Sequence, residues 1–189
     1  TCYLAPLTEW MRQAGCAPRY TLFILGRTGT RKTTSSALAL SHFGTFTGDD
    51  MPASFSDTAN SVMRSAFLLK DVPIAVDDYY PTSSLQDRRK MEQMAQTLSR
   101  AFGDHADRGR LNSDMSQRAP TPPRGLAIIT GEDTPNINQS GVSRYYIVEV
   151  DAENHVRIQP YNILTDSFFC TPHALKASAA QHVIIRGIL

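Results

Sequence analysis

The sequence predicts an α/β layered fold with a mainly parallel sheet, and three observations carry that expectation. Apolar runs of strand length alternate with segments of helical periodicity along the chain. Two of the runs, "YTLFIL" (20–25) and "PIAVDD" (73–78), are apolar without alternation until they end, as in strands covered on both faces. The 189 residues, 41% hydrophobic and 20% charged, are enough for one domain with a substantial core.

Taken in order, "PLTEWMRQA" (6–14) reads as a short helix with Pro6 in its first turn and Gly15 behind it. The first strand, 20–25, leads through a glycine-containing turn into a helix from Lys32 to His42. Ala37, Leu38, Ala39, Leu40 and Phe43 are expected to pack almost all round that helix, with Gly44 as its stop. Ser56 or Asp57 is expected to cap the next helix, which sets Ala59, Val62, Met63, Ala66 and Phe67 on one face. The second strand, 73–78, closes on the acids Asp77 and Asp78. An amphipathic helix follows from Leu85 to Phe102, with Met91, Met94, Ala95, Leu98, Ala101 and Phe102 at helical spacing. Residues 103–125 are polar and rich in proline and arginine. They are too long for a plain connection and read as either functional or partly mobile. "LAIIT" (126–130) and "YYIVEV" (145–150) are further strands, "HVRIQ" (155–159) alternates like an edge strand, and Thr171-Pro172 opens a last helix. The expected division is a helical lead-in over 1–19, a core over 20–151, and a strand-and-helix extension over 152–189.

Composition narrows the partners. A formal net charge of +1 supplies no global field for a polyanion, so any nucleic-acid contact has to come from a local patch. Cys2, Cys16 and Cys170 are odd in number and widely spaced, which fits neither a disulfide framework nor a zinc ligand set and favours a reducing, cytoplasmic setting. No apolar run approaches the ~18 residues of a membrane helix, and no signal peptide is visible. A first residue other than Met and the apolar end "HVIIRGIL" read as a piece of a longer protein.

The turn after the first strand, "GRTGTRKTT" (26–34), matches the G-x-x-x-x-G-K-[ST] phosphate-loop pattern at Gly26, Lys32 and Thr33. In such a loop the backbone N–H groups and the helix N-terminus hold the phosphates. The lysine reaches the β- and γ-phosphates, and the hydroxyl ligates Mg²⁺. The whole segment Gly26, Arg27, Thr28, Gly29, Thr30, Arg31, Lys32, Thr33 and Thr34 is therefore the candidate cradle for ATP and Mg²⁺. Arg31 replaces the second glycine of the pattern, which is acceptable if it adopts ordinary helical angles. A chance Gly/Thr-rich turn is the competing reading, and the strand before and helix after count against it.

The acids that end the second strand complement this loop. Asp77 is assigned to the metal together with Thr33, and Asp78 to orienting and deprotonating the attacking water. A solvated acidic turn is the alternative. Thr130 ends the third strand, where a polar side chain reads either as a contact to the γ-phosphate and lytic water or as a simple strand-terminating turn. Arg144, just before "YYIVEV", reads either as an arginine finger reaching a neighbouring subunit's triphosphate or as a surface ion-pair partner; Arg124, Arg108 and Arg110 compete for the finger role. Arg108 and Arg110 are also the candidates for touching a nucleic-acid backbone, against the alternative of a salt-bridged surface. No aromatic residue interrupts "DRGRLNSDMSQR" to stack bases.

In this order, "GRTGTRKTT", "ASFSDTANS", "IAVDDYYP", "TPPRGLAIITGED" and "SRYYIVEV" resemble the AAA+-like ATPase domain of primase–helicase proteins of phages, plasmids and mobile elements. The resemblance covers roughly residues 20 to 150, and the Arg-Lys-Thr ending of the loop looks similar to loops of that group. It implies a P-loop three-layer sandwich of the additional-strand (AAA+/RecA-like) type, ATP hydrolysis, self-assembly into a ring with a hexamer as the expected form, and movement along DNA, single-stranded DNA in particular. Carried over residue by residue, Lys32 and Thr33 bind triphosphate and Mg²⁺, Asp77 and Asp78 form the acidic pair, and Thr130 with Arg144 senses the nucleotide. The other reading in play is a small-molecule or nucleoside kinase with 103–125 as its lid. A guanine-nucleotide switch is disfavoured because no Asn-Lys-x-Asp motif occurs.

Overall fold

The computed structural model describes residues 1–81, 84–106, 109, 115–117, 119–151, 153 and 156–158. Arg108, Arg110, Cys170 and the helix expected from Thr171 lie outside them.

The chain opens with a 3-10 turn, Ala5–Leu7, that holds Pro6 and runs into helix α1, Thr8–Gln13. Gly15 follows at φ +76°, a conformation that glycine adopts without steric cost. Strand β1 is Thr21–Leu25 and helix α2 is Lys32–Leu40. Strand β2, Ala53–Ser54, precedes helix α3, Ala59–Leu69, and strand β3, Ile74–Tyr79. The longest helix, α4, spans Leu85–Asp104; strand β4, Ala127–Gly131, helix α5, Gln139–Val142, strand β5, Tyr145–Val150, and strand β6, Val156–Ile158, complete the order.

One sheet holds all six strands in the order β2-β3-β4-β1-β5-β6. The first five are parallel and β6 pairs antiparallel to β5 at the margin. Strand β4 therefore lies between β1, which feeds the glycine turn, and β3, which ends in the acids.

Alternation along β1 shows how the layers are made. Phe23 faces α3 and α4, joining Val62, Met63, Ala66, Leu98 and Phe102 in the main core. Leu22 and Ile24 face the other way, toward Leu40 of α2 with Ala75 and Ile128. Helices thus cover both faces, which is why the central strands lack a polar side. The Phe23 ring, fully buried, meets Tyr79 and Tyr145 edge-on at 6.1 and 5.5 Å between centroids. The buried Tyr145 hydroxyl donates to the Ala95 carbonyl at 2.7 Å, so its polar end is satisfied. Among the described residues no helix is long and apolar enough to cross a membrane.

Several expectations need correction. Thr58, not Ser56 or Asp57, caps α3: its hydroxyl accepts from the Ser61 N–H at 3.3 Å, while the Asp57 carboxylate is turned back onto the Ser54 N–H at 2.9 Å. Helix α2 stops at Leu40 rather than His42, and Leu38 is 69% exposed, so that helix buries one face and not its whole circumference. Helix α4 runs two residues past Phe102, taking in Gly103 and Asp104; Arg144 folds across its end, and a Cβ on Gly103 would lie 2.2 Å from the Arg144 Cδ.

Candidate phosphate-binding site

In a parallel sheet covered on both faces, the strand C-terminal ends open onto a common rim where loops can meet. β1, β3 and β4 end together there. The Gly26 N–H donates to the Gly131 carbonyl at 3.0 Å, tying the start of the turn to the end of β4. Gly26 has no room for a side chain, since a Cβ would stand 2.6 Å from the Val150 carbonyl oxygen. The turn is braced internally by Thr30, buried, whose hydroxyl donates to the Arg27 carbonyl at 2.8 Å. The Lys32 ammonium donates to the same carbonyl at 2.9 Å.

Arg31 corrects the reading of the sixth position. It adopts φ 57°, ψ 27°, the left-handed conformation, and not helical angles. The backbone keeps the shape a glycine would supply, at a cost of about 1–2 kcal/mol for a residue with a Cβ. Arg31 is exposed and lines the cavity mouth, so the cost is accompanied by a second cation beside Lys32.

The cavity is about 380 Å³ and open to solvent, lined by residues 28–29 and 31–34 of the turn and helix and by Asp78, Thr130, Gly131 and Glu132. Its floor is a hydrogen-bonded chain. The Thr33 hydroxyl donates to the Asp77 carboxylate at 3.0 Å, and the buried Thr130 hydroxyl also donates to Asp77 while accepting from the Asp78 N–H at 3.1 Å. A β-bulge makes this possible. Pairing of β3 with β4 runs through Val76 opposite Ile129 and resumes at Tyr79 opposite Gly131, so that Asp77 and Asp78 together face Thr130. Asp78 takes φ 67°. In a regular strand, neighbouring carboxylates point to opposite faces; the bulge turns both toward the same rim.

Burial pushes the Asp78 carboxyl above its ordinary value of 3.8, the charges of Asp77 and Glu132 push it further, and Lys32 pulls it back. The folded state therefore holds the Asp78 proton more tightly than the unfolded chain does. Stability is fully present below 3.8 and is lost as pH rises through the raised folded value. Asp78→Asn, in a residue type that tolerates left-handed backbone, is expected to be more stable than the parent at neutral pH, with the gain vanishing below 3.8. Urea midpoints measured on both sides of that value check this. Equal midpoints at neutral pH would contradict it.

Of the residues singled out from sequence, Lys32, Thr33, Thr34, Asp77, Asp78 and Thr130 meet at this rim with the 26–31 turn. Arg144 does not. It precedes β5 at the opposite rim, where its Nε and Nη2 bond Asp104 at 3.0 and 2.8 Å and its Nη1 bonds the Ser140 carbonyl. Gly131 and Glu132 are cavity residues to which sequence reasoning gave no role, and the Glu132 carboxylate accepts from the Thr28 hydroxyl. The signal was available, because residues two apart on an extended strand share a side and Thr130 is two positions away.

The oxygen donors suit magnesium. Thr33 and Asp77 offer a hydroxyl and a carboxylate side by side, and among the described residues no set of three or more His, Cys, Asp or Glu could hold a metal ion. One carboxylate, with the remaining positions left to water and phosphate, is how Mg²⁺ is commonly held.

No family model matches the chain, and no curated protein matches it. Among solved structures it is similar to one described as "SCCmec type IV Cch - active helicase", at 17% identity and a TM-score of 0.46, over 81% of this chain and 29% of that one. The chain thus spans less than a third of the length of that protein, and the chemistry of the site has to be argued from its own residues.

Proposed function

We propose that the chain is the ATP-hydrolysing core of a P-loop protein of the additional-strand, AAA+-like type, acting in a ring-forming DNA motor of the primase–helicase kind. The observation that carries the reading is the chain Thr33–Asp77–Thr130 beneath the glycine turn, on a sheet whose β4 separates the loop strand from the acidic strand. In this reading the turn and the first N–H groups of α2 hold the triphosphate of ATP, Lys32 leaves the Arg27 carbonyl for the β- and γ-phosphates, and Thr33 with Asp77 holds Mg²⁺. When bound, that ion neutralises charge on the phosphates. Asp78 orients water and accepts its proton, and Thr130 keeps both carboxylates in register with the γ-phosphate.

Ring assembly is part of this proposal, although Arg144 is held in the structure by Asp104, as a surface ion-pair partner would be. An arginine on the opposite rim cannot serve its own cavity but can serve that of the next subunit once it exchanges Asp104 for phosphate. DNA, single-stranded DNA in particular, is the proposed track, with Arg108 and Arg110 the proposed contacts.

The experiment that tests this measures phosphate release and particle mass together, with and without ATP and single-stranded DNA. Expected are assembly with ATP and turnover that rises with DNA. Arg144→Ala is expected to bind ATP normally while turnover falls about 10³-fold or more. Turnover of Arg144→Ala at the parent rate would overturn the shared site, and transfer of phosphate to an acceptor instead of water would make the protein a kinase.

A further inference from the structure

A cavity built for phosphate has reason to keep uncompensated negative charge out, yet Glu132 projects into this one. Asp77 is offset by hydroxyl donors from Thr33 and Thr130, and Asp78 lies within the field of Lys32. Glu132 lines the same cavity as Arg31 and Lys32. It is only partly buried, has no ion-pair partner among the described residues, and its carboxylate accepts one hydroxyl, that of Thr28, from a residue 104 positions away. Its own N–H donates to the Tyr79 carbonyl at 3.1 Å, which continues the β3–β4 ladder and holds the side chain at the mouth. Thr28 itself is exposed, at the tip of the turn.

We infer that Glu132 is an electrostatic gate at the phosphate loop: its carboxylate, which accepts from the Thr28 hydroxyl at the mouth, repels a triphosphate whose charge is not already reduced by a cation. This rests on the reading of the cavity as a triphosphate site and specifies which form of the nucleotide that site admits. Free nucleotide brings its full charge against Glu132, Asp78 and Asp77; the cation-bound form brings less. The carboxylate thereby selects the metal-loaded nucleotide, the form able to react, over the free one.

The test is the affinity of the intact chain for a fluorescent ATP analogue, with Mg²⁺ or with a chelator in its place. Glu132→Gln keeps an amide oxygen to accept from Thr28 and removes only charge. It is expected to tighten chelator-condition binding by about tenfold, the scale of one like charge removed at close range, with a smaller gain when Mg²⁺ is present. In molar salt, where screening shortens to a few ångströms, the parent and the variant are expected to converge. Thr28→Val, which removes the hydroxyl but leaves the carboxylate, is expected to stay within about twofold of the parent in chelator. Unchanged chelator-condition affinity in Glu132→Gln, or tightening by Thr28→Val alone, would overturn the gate while leaving the site intact. Failure of the parent and of Glu132→Gln alike to bind would instead overturn the triphosphate reading itself.

Discussion

Lys32→Ala is expected to abolish ATP hydrolysis without weakening the fold. Lys32 is the lysine of the cavity wall, and its ammonium rests on the Arg27 carbonyl at 2.9 Å, a bond it can exchange for phosphate oxygens without moving the helix it starts. Removing one positioned donor from developing charge costs about 10²–10³-fold in rate. Here the same change also removes the charge that orients the chain of phosphates, so turnover is expected to fall below detection. Stability is expected to hold. The lysine stands in the first turn of α2, where a cation opposes the helix dipole and alanine is the better helix former. Phosphate release and a denaturation midpoint on one preparation separate the two effects. Parent-level turnover in Lys32→Ala would remove the 26–34 turn from the chemistry altogether.

Phe23→Ala is expected to give the largest loss of stability, about 3–5 kcal/mol, as for other fully buried aromatic rings. The ring is edge-on to both Tyr79 and Tyr145, and its Cζ lies where a Cβ on Gly131 would come, 2.7 Å away. Its removal leaves a void directly beneath the bulge and the end of β4. The same substitution should therefore loosen the Asp77–Thr130 contact, lowering activity even at temperatures where the chain stays folded. A chemical denaturation curve reads the first effect and phosphate release below the transition reads the second. Leu38→Ala is the control: on a side chain 69% exposed, it is expected to change the midpoint little. A shift from Phe23→Ala no larger than that control would contradict the packing described here.

Much of this architecture is written in local pattern. The central strands were legible as apolar runs because both their faces are covered. The glycine turn was legible because Lys32-Thr33 begins a helix straight after a strand. What resisted reading depends on pairing. Strand β2 has two residues and α5 has four, too short for any period to register. The bulge at Asp77-Asp78 exists only in relation to Thr130, more than fifty positions on, and nothing in "IAVDDYY" marks it. Arg31 was misread because residue type argues against left-handed backbone, and the surrounding contacts overrule that preference. For Arg144 a surface ion pair was one of the two readings, but nothing in the sequence marked Asp104, forty positions earlier, as its partner. The role of Glu132 was overlooked for a different reason: Thr130 drew attention to the strand end, and the period of two was not followed one step further.

The sheet order bears on where the chain can take insertions and deletions. No ladder of hydrogen bonds joins β1 to β3 directly; their backbone pairing passes through the five residues of β4. Deleting one residue there would turn its side chains over, presenting isoleucine or glycine to the carboxylates in place of threonine. A change of length is therefore better borne by the exposed connections on either side than by this short span.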